Sequence, residues 1–363
     1  MKLLILVGTR PNFIKITQFK RVAKERYPQI DIKIVHTGQH YSENMADVFF
    51  RQFNMWPDHY LEIDAASPSS QIAQIMLRLE AYVVSEGRPD LILVPGDVNS
   101  TLAGALFANK AGIPLGHIEA GLRSFDRTMP EEFNRCLTDE VTDLFFVSEP
   151  SGVKHLLSEN RPKEKVHMVG NTMIDTMVAF EGEIDISDIL NKLQLDDEPF
   201  VLMTMHRPAT VDNKEAFGKL VQIMEKLSQK YAVVFPVHPR TVKQAKDFGL
   251  YEQLMANSNV KCTEPLDYFA FQKLIKECTF IITDSGGIQE ESTFRKKPCL
   301  TLRPNTERPV TVDKGTNTLV PFEVNAIFSE IHSIEAGTYK TGLIPDYWDG
   351  QATERILNVI AGL

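Results

Sequence analysis

Residues 280–291 read Phe280-Ile281-Ile282-Thr283-Asp284-Ser285-Gly286-Gly287-Ile288-Gln289-Glu290-Glu291. The first four residues are apolar or β-branched, which is typical of a short strand buried on both faces of a parallel sheet. The residues after the two glycines can start a helix. A buried strand that passes through a glycine turn into a helix is the repeating unit of parallel α/β sheets, so this stretch predicts an α/β fold.

Short apolar runs alternate with longer amphipathic stretches along the whole chain. We expect strands at Lys2–Val7, Asp31–His36, Leu91–Val94, Leu115–Ile118, Leu144–Val147, Val166–Met168, Phe200–Thr204, Ala232–Phe235, Asn259–Cys262, Phe280–Thr283 and Cys299–Leu302. We expect helices at Phe13–Glu25, Ser70–Ser85, Ala103–Ala111, Lys214–Lys230, Thr241–Gly249, Tyr268–Glu277, Gly287–Phe294 and Thr353–Leu363. Nearly continuous apolar strands separated by helices indicate doubly wound parallel sheets covered on both faces. The pattern occurs twice, which predicts two such sheets.

The chain is 363 residues long, which is more than one hydrophobic core usually supports, so we expect two domains. The natural boundary follows Val169-Gly170-Asn171, where an expected strand ends in a glycine turn. This places an N-terminal domain at residues 1–170 and a C-terminal domain at residues 171–345. The remaining residues, 346–363, form a final helix that could pack back on the N-terminal domain.

The composition excludes several classes of protein. The chain carries 39 lysines and arginines against 48 acidic residues, a formal net charge of −9. A nucleic-acid-binding protein needs a basic surface over the polyanion, so this balance argues against that class. The four cysteines have no paired spacing, and no apolar run approaches the roughly 20 residues of a membrane span. We expect a cytoplasmic protein with neither a nucleic-acid nor a membrane partner.

Ligands of open parallel α/β sheets bind at the carboxyl ends of the strands, so the residues that follow each expected strand are candidates for a site. Histidines, basic residues and carboxylates recur there in both halves: Arg10, Lys15, Asp97, His117, Glu119, Arg123, His206, His238, Asp284, Arg303 and Arg308. Taken singly, most have a structural explanation. Asp97 could cap a helix, His117 could be a core histidine, and arginines are by default solvated. Their common placement is what indicates a functional site.

The glycine turn at residues 284–287 is the most specific of these segments. Two glycines let a phosphate approach bare backbone amides at the positive end of a helix, and Ser285 adds a hydroxyl donor. Glu291, one turn later, could accept hydrogen bonds from two ribose hydroxyls. Taken alone, a Ser-Gly-Gly tripeptide is about as often an ordinary turn as a phosphate-binding one.

Several well-known motifs are absent from the sequence. It contains neither the dinucleotide G-x-G-x-x-G nor the G-x-x-x-x-G-K-[ST] of nucleoside triphosphatases. It also lacks H-E-x-x-H and clustered Cys and His residues. We therefore expect no bound NAD, no triphosphate hydrolysis and no metal.

A series of motifs follows in a fixed order along the chain. They are Gly8-Thr9-Arg10-Pro11-x-x-x-Lys15, Pro95-Gly96-Asp97, His117-x-Glu119-Ala120-Gly121-Leu122-Arg123-Ser124, Pro130-Glu131-Glu132-x-Asn134-Arg135, His206-Arg207, His238-Pro239, Asp284-Ser285-Gly286-Gly287-x-Gln289-Glu290-Glu291 and Thr306-Glu307-Arg308-Pro309. In this order, and over essentially the whole chain, the sequence resembles the non-hydrolysing UDP-N-acetylglucosamine 2-epimerases.

The resemblance implies a fold and a reaction. Members of the family have the GT-B fold, in which two Rossmann-like domains close over UDP, and are commonly homodimers. They invert carbon 2 of UDP-N-acetylglucosamine without a cofactor and yield UDP-N-acetylmannosamine. UDP is eliminated to give a 2-acetamidoglucal and is then added back, with carbon 2 protonated from the other face.

The resemblance also implies roles for individual residues. The catalytic group comprises Asp97, Glu119, Glu131 and His206. The diphosphate would be held by Arg10, His238, Ser285, Gly286 and Gly287, the ribose by Glu291 and the uracil by Phe271. The remaining substrate-binding residues are Lys15, Arg135 and Arg308, and no residue is assigned to a metal.

Some features depart from the family pattern, and other activities stay open. Many relatives follow His-Arg with Glu-Asn, whereas here Pro208 and Ala209 follow Arg207. After Gln39 and His40, Tyr41 and Ser42 stand where some bacterial members have other polar groups. These positions belong to a second, regulatory UDP-sugar site of certain bacterial members, and we do not expect that regulation here. The alternatives are a 2-epimerase of a 2,3-diacetamido uronic acid nucleotide, a hydrolysing epimerase, a GT-B glycosyltransferase and a silent UDP-sugar-binding protein.

Overall fold

The computed structural model of the chain describes residues 1–38, 50–64, 67–195 and 198–363. These residues form two compact units. The first contains Met1–Ala179 together with Asp346–Leu363, and the second contains Phe180–Pro345. Gln39 and His40 lie outside the described residues.

The first unit is built on a seven-stranded sheet. Its strands are β1 (Lys2–Val7), β2 (Asp31–His36), β3 (His59–Tyr60), β4 (Leu91–Pro95), β5 (Leu115–Ile118), β6 (Leu144–Val147) and β7 (Val166–Met168). They lie in the order β3-β2-β1-β4-β5-β6-β7, and every neighbouring pair is parallel. The prediction of a parallel α/β sheet is confirmed for this unit. The sequence analysis missed β3, which has only two residues, both exposed.

The helices of the first unit connect these strands. They are α1 (Arg10–Ile14), α2 (Phe19–Arg26), α3 (Pro68–Glu86), α4 (Asn99–Ala111), α5 (Pro130–Glu140), α6 (Pro150–Ser158), α7 (Thr172–Ala179) and, from the C-terminus, α18 (Ala352–Ala361), with a 3₁₀ turn at Lys163–Lys165.

The prediction of one continuous helix over Phe13–Glu25 is wrong, because two helices stand there. The carbonyl of Ile14 accepts a hydrogen bond from the Thr176 hydroxyl at 2.6 Å. The next amides, of Ile16 and Phe19, bond three residues back instead of four. This tighter turn ends α1 and separates it from α2.

The second unit is built on a six-stranded parallel sheet. Its strands are β8 (Phe200–Thr204), β9 (Ala232–Pro236), β10 (Val260–Thr263), β11 (Phe280–Thr283), β12 (Cys299–Thr301) and β13 (Asn317–Leu319), in the order β10-β9-β8-β11-β12-β13. Its helices are α8 (Glu181–Asp185), α9 (Ile189–Leu193), α10 (Pro208–Val211), α11 (Lys214–Leu227), α12 (Pro239–Asp247), α13 (Tyr251–Met255), α14 (Tyr268–Glu277), α15 (Gly287–Phe294), α16 (Pro309–Asp313) and α17 (Val324–Glu335). The sequence analysis missed β13, a three-residue strand that begins with a buried asparagine.

Each sheet is covered on both faces by apolar side chains. Strand β11 illustrates the pattern, because Phe280 and Ile282 join one buried cluster of the second unit and Ile281 joins the other. Since successive side chains of a strand point to opposite faces, both faces of this sheet must be buried. None of the helices among the described residues has both the length and the apolar composition that crossing a bilayer requires.

The first unit extends beyond residue 170 and takes in the C-terminal helix. Helix α7 belongs to it, because the Thr176 hydroxyl contacts that of Thr17 at 2.5 Å. Asp175 of α7 accepts hydrogen bonds from the amides of Ala352 and Thr353, at 3.0 and 2.6 Å, and so caps α18. The structural boundary therefore falls at residues 179/180 instead of 170/171.

His36 makes the stability of the first unit dependent on pH. Burial lowers the pKa of its ring from 6.5 to about 4, and Nδ1 accepts a hydrogen bond from the Gly38 amide at 2.9 Å. The folded state thus holds the neutral ring, and its contribution to stability is present above pH 6.5 and lost as the pH falls towards 4.

We expect His36→Gln to remove this dependence. Between neutral pH and a pH near 5, the free energy of unfolding of the original protein should fall by about 2 kcal/mol more than that of the variant. Urea unfolding at the two pH values measures the difference, with exposed His332→Gln as the control. Equal pH dependence in the original protein and the His36 variant would contradict the assignment.

Candidate active site

A lysine and a carboxylate meet at the carboxyl end of the first sheet. Lys15 directly follows α1, and its ammonium group is hydrogen-bonded to the carboxylate of Glu119, just after β5; both side chains are buried. Gly96, in the turn after β4, has φ +71°, and a Cβ atom there would lie 3.0 Å from Lys15 Nζ. Glycine is therefore required at residue 96, both for its backbone and for the approach of Lys15.

Asp97 follows this turn and is held by helix α5. Its carboxylate accepts a hydrogen bond from Arg135 Nη2 at 2.5 Å, and its carbonyl accepts one from Asn134 Nδ2 at 2.9 Å. The other terminal nitrogen of Arg135 donates to Glu132 Oε2 at 2.9 Å. Glu132 also accepts hydrogen bonds from the Ser124 amide and hydroxyl, at 2.8 and 2.9 Å. Asp97 is thus fixed by a chain of buried polar contacts.

The remaining candidates of the first unit lie at the same end of the sheet. Glu131 is partly buried in the first turn of α5 and shares a helix face with Arg135, one turn later. Arg10 is the first residue of α1, which follows β1 after Gly8 and Thr9, and is also partly buried. The structure pairs Lys15 with Glu119 and Arg135 with Asp97.

Asp284 organises the carboxyl end of the second sheet. This fully buried carboxylate accepts hydrogen bonds from the Arg207 amide at 2.8 Å, the Thr210 hydroxyl at 2.5 Å and the His206 amide at 3.0 Å. Its Oδ1 also lies 3.0 Å from His206 Nδ1. Burial alone would raise the pKa of this carboxyl, but the contacts with His206 and Thr210 hold it below its ordinary value. The sequence analysis assigned no role to Asp284, although a carboxylate directly after a buried strand was the available signal.

Two histidines stand beside this carboxylate. The rings of His206 and His238 have centroids 5.6 Å apart. The side chain of His206 is 39% exposed, and no described residue hydrogen-bonds to its Nε2. His238 caps α12, and its Nδ1 accepts a hydrogen bond from the Arg240 amide at 3.2 Å. Burial, followed by the nearby positive groups, lowers the pKa of His238. A neutral His238 therefore carries its hydrogen on Nε2, where it can donate to a ligand.

The glycine turn begins α15 in the way that its sequence predicts. Gly286 is the N-cap of this helix, and no side chain of the described residues caps it. A Cβ atom on Gly286 would lie 2.8 Å from Glu307 Oε1 and 2.9 Å from Arg308 Nη1. Ser285, Gly286 and Gly287 are each partly buried, so the first amides of the helix can be reached by an anion.

The last candidates surround this turn. Arg308 is buried between carboxylates, with its Nε 2.8 Å from Glu290 Oε2 and its Nη1 hydrogen-bonded to Glu307. Glu291 is buried on α15, and Phe271 on α14 packs, partly buried, against the apolar core. No sequence motif indicates that Arg308 is held by these two acidic side chains.

The described residues contain no group of three or more His, Cys, Asp or Glu side chains placed to bind a metal ion. The polar groups of the candidate site are helix amides and histidines in the second unit, and carboxylates paired with Lys15 and Arg135 in the first. Carboxylates and imidazoles are the usual side chains for proton transfer, and helix amides the usual donors to a phosphate.

Comparison with known proteins gives the family. Residues 22–361 match the sequence model described as UDP-N-acetylglucosamine 2-epimerase. The UDP-N-acetylglucosamine 2-epimerase of Methanocaldococcus jannaschii is 38% identical over 99% of both chains. The UDP-2,3-diacetamido-2,3-dideoxy-D-glucuronate 2-epimerase of Pseudomonas aeruginosa is 36% identical over the full length of both.

Solved structures agree with this result. The M. jannaschii UDP-GlcNAc 2-epimerase in complex with UDP-GlcNAc (UDP-N-acetylglucosamine) and UDP superimposes with a TM-score of 0.89 at 37% identity, covering all of both chains. The Neisseria meningitidis enzyme bound to UDP-GlcNAc gives the same TM-score at 30% identity over both full chains. The expected GT-B-like fold with two Rossmann-like units is confirmed. The chain belongs to the UDP-N-acetylglucosamine 2-epimerase family.

Proposed function

We propose that this protein is an isomerase that interconverts UDP-N-acetylglucosamine and UDP-N-acetylmannosamine by eliminating and re-adding UDP. Membership of the family supports this reaction. The observation that carries the proposal is the pairing of Asp97 with Arg135 and of Glu119 with Lys15 at the carboxyl end of one sheet. Carboxylates held in fixed positions are suited to proton transfer at a sugar carbon.

The reaction makes clear chemical demands. Carbon 2 is not next to a carbonyl, so its proton is weakly acidic and the bond between carbon 1 and the diphosphate must break ahead of its removal. The electron pair of the C2–H bond then forms the double bond of a 2-acetamidoglucal, and the proton passes to a base. Readdition of UDP to carbon 1, with a proton delivered to the opposite face of carbon 2, gives the epimer. The enzyme therefore needs two acid/base groups and a firm hold on the leaving diphosphate.

The acid/base groups come from the first unit. We assign Asp97, Glu119 and Glu131 to this set. Arg135 and Lys15 would hold the carboxylates of Asp97 and Glu119 in fixed positions for proton transfer. Glu131 stands in the first turn of α5, one turn before Arg135.

The second unit supplies the groups that hold and release the diphosphate. The amides of Gly286 and Gly287 with the Ser285 hydroxyl would bind its oxygens, and His238 Nε2 would donate a further hydrogen bond. Because Nδ1 of His206 faces Asp284, its Nε2 is the nitrogen that would exchange a proton with the departing diphosphate. The other assignments are Arg10 and Arg308 to the diphosphate, Glu291 to the ribose and Phe271 to the uracil.

We also propose that the protein is cytoplasmic and forms a homodimer. The four cysteines are free, which suits a reducing compartment and supports the cytoplasm. The family resemblance supports a homodimer, for which light scattering should give twice the chain mass of 41.0 kDa.

Turnover of UDP-N-acetylglucosamine in deuterated water tests the proposal. We expect an equilibrium mixture of both epimers with deuterium at carbon 2 and UDP still attached, read by proton NMR. Free N-acetylmannosamine with UDP would indicate a hydrolysing enzyme. Turnover of a 2,3-diacetamido uronic acid nucleotide alone would indicate that the substrate is that nucleotide, which the name of the Pseudomonas aeruginosa relative specifies. Binding without exchange would contradict catalysis altogether.

A further inference from the structure

His117 is a buried polar residue that the proposed reaction does not use. It lies on β5, two residues before Glu119, and its side chain has no exposed surface. Its Nδ1 lies 2.7 Å from Asp139 Oδ1, and its Nε2 lies 2.8 Å from the carbonyl oxygen of Gly96. The ring therefore joins helix α5 to the turn that carries Asp97.

Both partners of the ring are acceptors. A backbone carbonyl can only accept a hydrogen bond, so Nε2 of His117 must donate to Gly96. Asp139 also receives hydrogen bonds from the Gly121 amide at 3.1 Å and pairs with Arg123 Nη1 at 2.7 Å, so its carboxyl is surrounded by donors. The Gly121 amide and the Arg123 guanidinium both approach Oδ2 of Asp139, which favours the ionised carboxylate whatever the state of His117. An ionised Asp139 makes Nδ1 of His117 a donor as well.

A ring that donates from both nitrogens is an imidazolium. The neighbouring charges suit this state, because Asp139 lies between His117 and Arg123, and Arg123 is in turn paired with Glu159 at 2.8 Å. The charges of the two cations and of the two carboxylates, Asp139 and Glu159, cancel. A buried charge requires such a partner of opposite sign.

The imidazolium of His117 fixes the Gly96–Asp97 turn to strand β5, which leads into Glu119. The Gly96 amide donates to the Ile118 carbonyl at 3.0 Å, and the Gly96 carbonyl accepts from His117, so both polar groups of this residue are tied to β5. Asp97 follows directly. Glu119 has φ +72° and donates its amide to the Phe146 carbonyl at 2.9 Å. The geometry of both acids thus depends on the position of β5 and its histidine.

We infer that His117 is a doubly protonated positioning residue, which with Asp139 holds the Gly96–Asp97 turn in the geometry that proton transfer requires. This inference rests on the proposed epimerisation for its kinetic consequence, but not for the protonation state of the ring. Loss of the ring would let the turn relax, and a displacement of about 1 Å can cost about 10²-fold in rate.

Neutron diffraction from crystals of the complete deuterated chain near neutral pH tests the protonation state directly. We expect deuterium on both Nδ1 and Nε2 of His117. Density for deuterium on only one of the two nitrogens would overturn the inference, whatever the protein catalyses. If both are occupied but no epimerisation occurs in the original protein, the proposed function fails while the imidazolium stands.

Kinetics of His117→Gln tests the positioning role. We expect kcat to fall about 10- to 100-fold, while the Kd for UDP, measured by calorimetry, changes much less because His117 contacts none of the residues assigned to the nucleotide. Asp139→Asn should reproduce this loss, and the double variant should add little to it, because the two residues act as one unit. Unchanged kcat in a folded His117→Gln protein would contradict the role. If His117→Gln fails to fold, the kcat of Asp139→Asn tests the positioning role, and the neutron result tests the protonation state.

Discussion

Replacing Asp97 with asparagine is expected to lower kcat for epimerisation by about 10²–10⁴-fold and to leave the chain folded. Asparagine has nearly the same shape, and its side-chain oxygen can still accept the hydrogen bond that Arg135 now gives the carboxylate at 2.5 Å. The Asn134 contact goes to the backbone carbonyl of residue 97 and is unaffected. What the variant loses is a group that can take up and return a proton. Steady-state epimerisation followed by proton NMR measures the effect.

The matched control is Asp90→Asn. Asp90 accepts a hydrogen bond from the Lys2 amide at 2.7 Å, at the amino end of the same sheet, so it is an aspartate with a structural contact far from the strand ends that carry the candidates. Its replacement should leave kcat unchanged. Full activity of Asp97→Asn would remove Asp97 from the catalytic set. An equal loss in both variants would point to a general effect on the fold.

Replacing His206 with asparagine is expected to have an effect of the same size, about 10²–10⁴-fold in kcat. The ring is held through Nδ1 by the buried carboxylate of Asp284, which leaves Nε2 to act on the diphosphate. Asparagine cannot shuttle a proton from that position. The helix amides of Gly286 and Gly287 remain, so the Kd for UDP should change much less than kcat.

Exposed His332→Asn is the control for this variant, and circular dichroism checks that both are folded. A weaker Kd for UDP with unchanged kcat at saturation would make His206 a binding residue only. Activity equal to that of the original protein would exclude it from the mechanism.

Most of the fold could be predicted from the sequence, since buried strands of parallel sheets are apolar runs that local composition reveals. The strands at Lys2–Val7 and Phe280–Thr283 have the bounds that their sequences predict. The two missed strands, at His59–Tyr60 and Asn317–Leu319, are short and contain polar residues, so their pairing comes from neighbouring strands instead of their own pattern. The break after Ile14 depends on a hydroxyl from Thr176, more than 150 positions away, and no local pattern contains it.

The residues of the candidate site could likewise be predicted from the sequence, whereas their contacts could not. The sequence motifs identified the carboxylates, histidines and glycines that follow the strands, because ligands of such sheets bind there. They did not reveal which side chains pair. Arg135 contacts Asp97 across 38 positions, and Asp284 contacts His206 across 78. These contacts fix the positions of Asp97 and His206, and only the packing of each unit determines them.

The central claim is that the bond between carbon 1 and UDP breaks during inversion of carbon 2. Positional isotope exchange tests it most directly, with UDP-N-acetylglucosamine that carries ¹⁸O in the bridge between carbon 1 and the β-phosphorus. The account predicts that phosphorus NMR of recovered substrate shows the label moving to non-bridging positions, and that Asp97→Asn abolishes this movement. Inversion of carbon 2 with all of the label still in the bridge would contradict it.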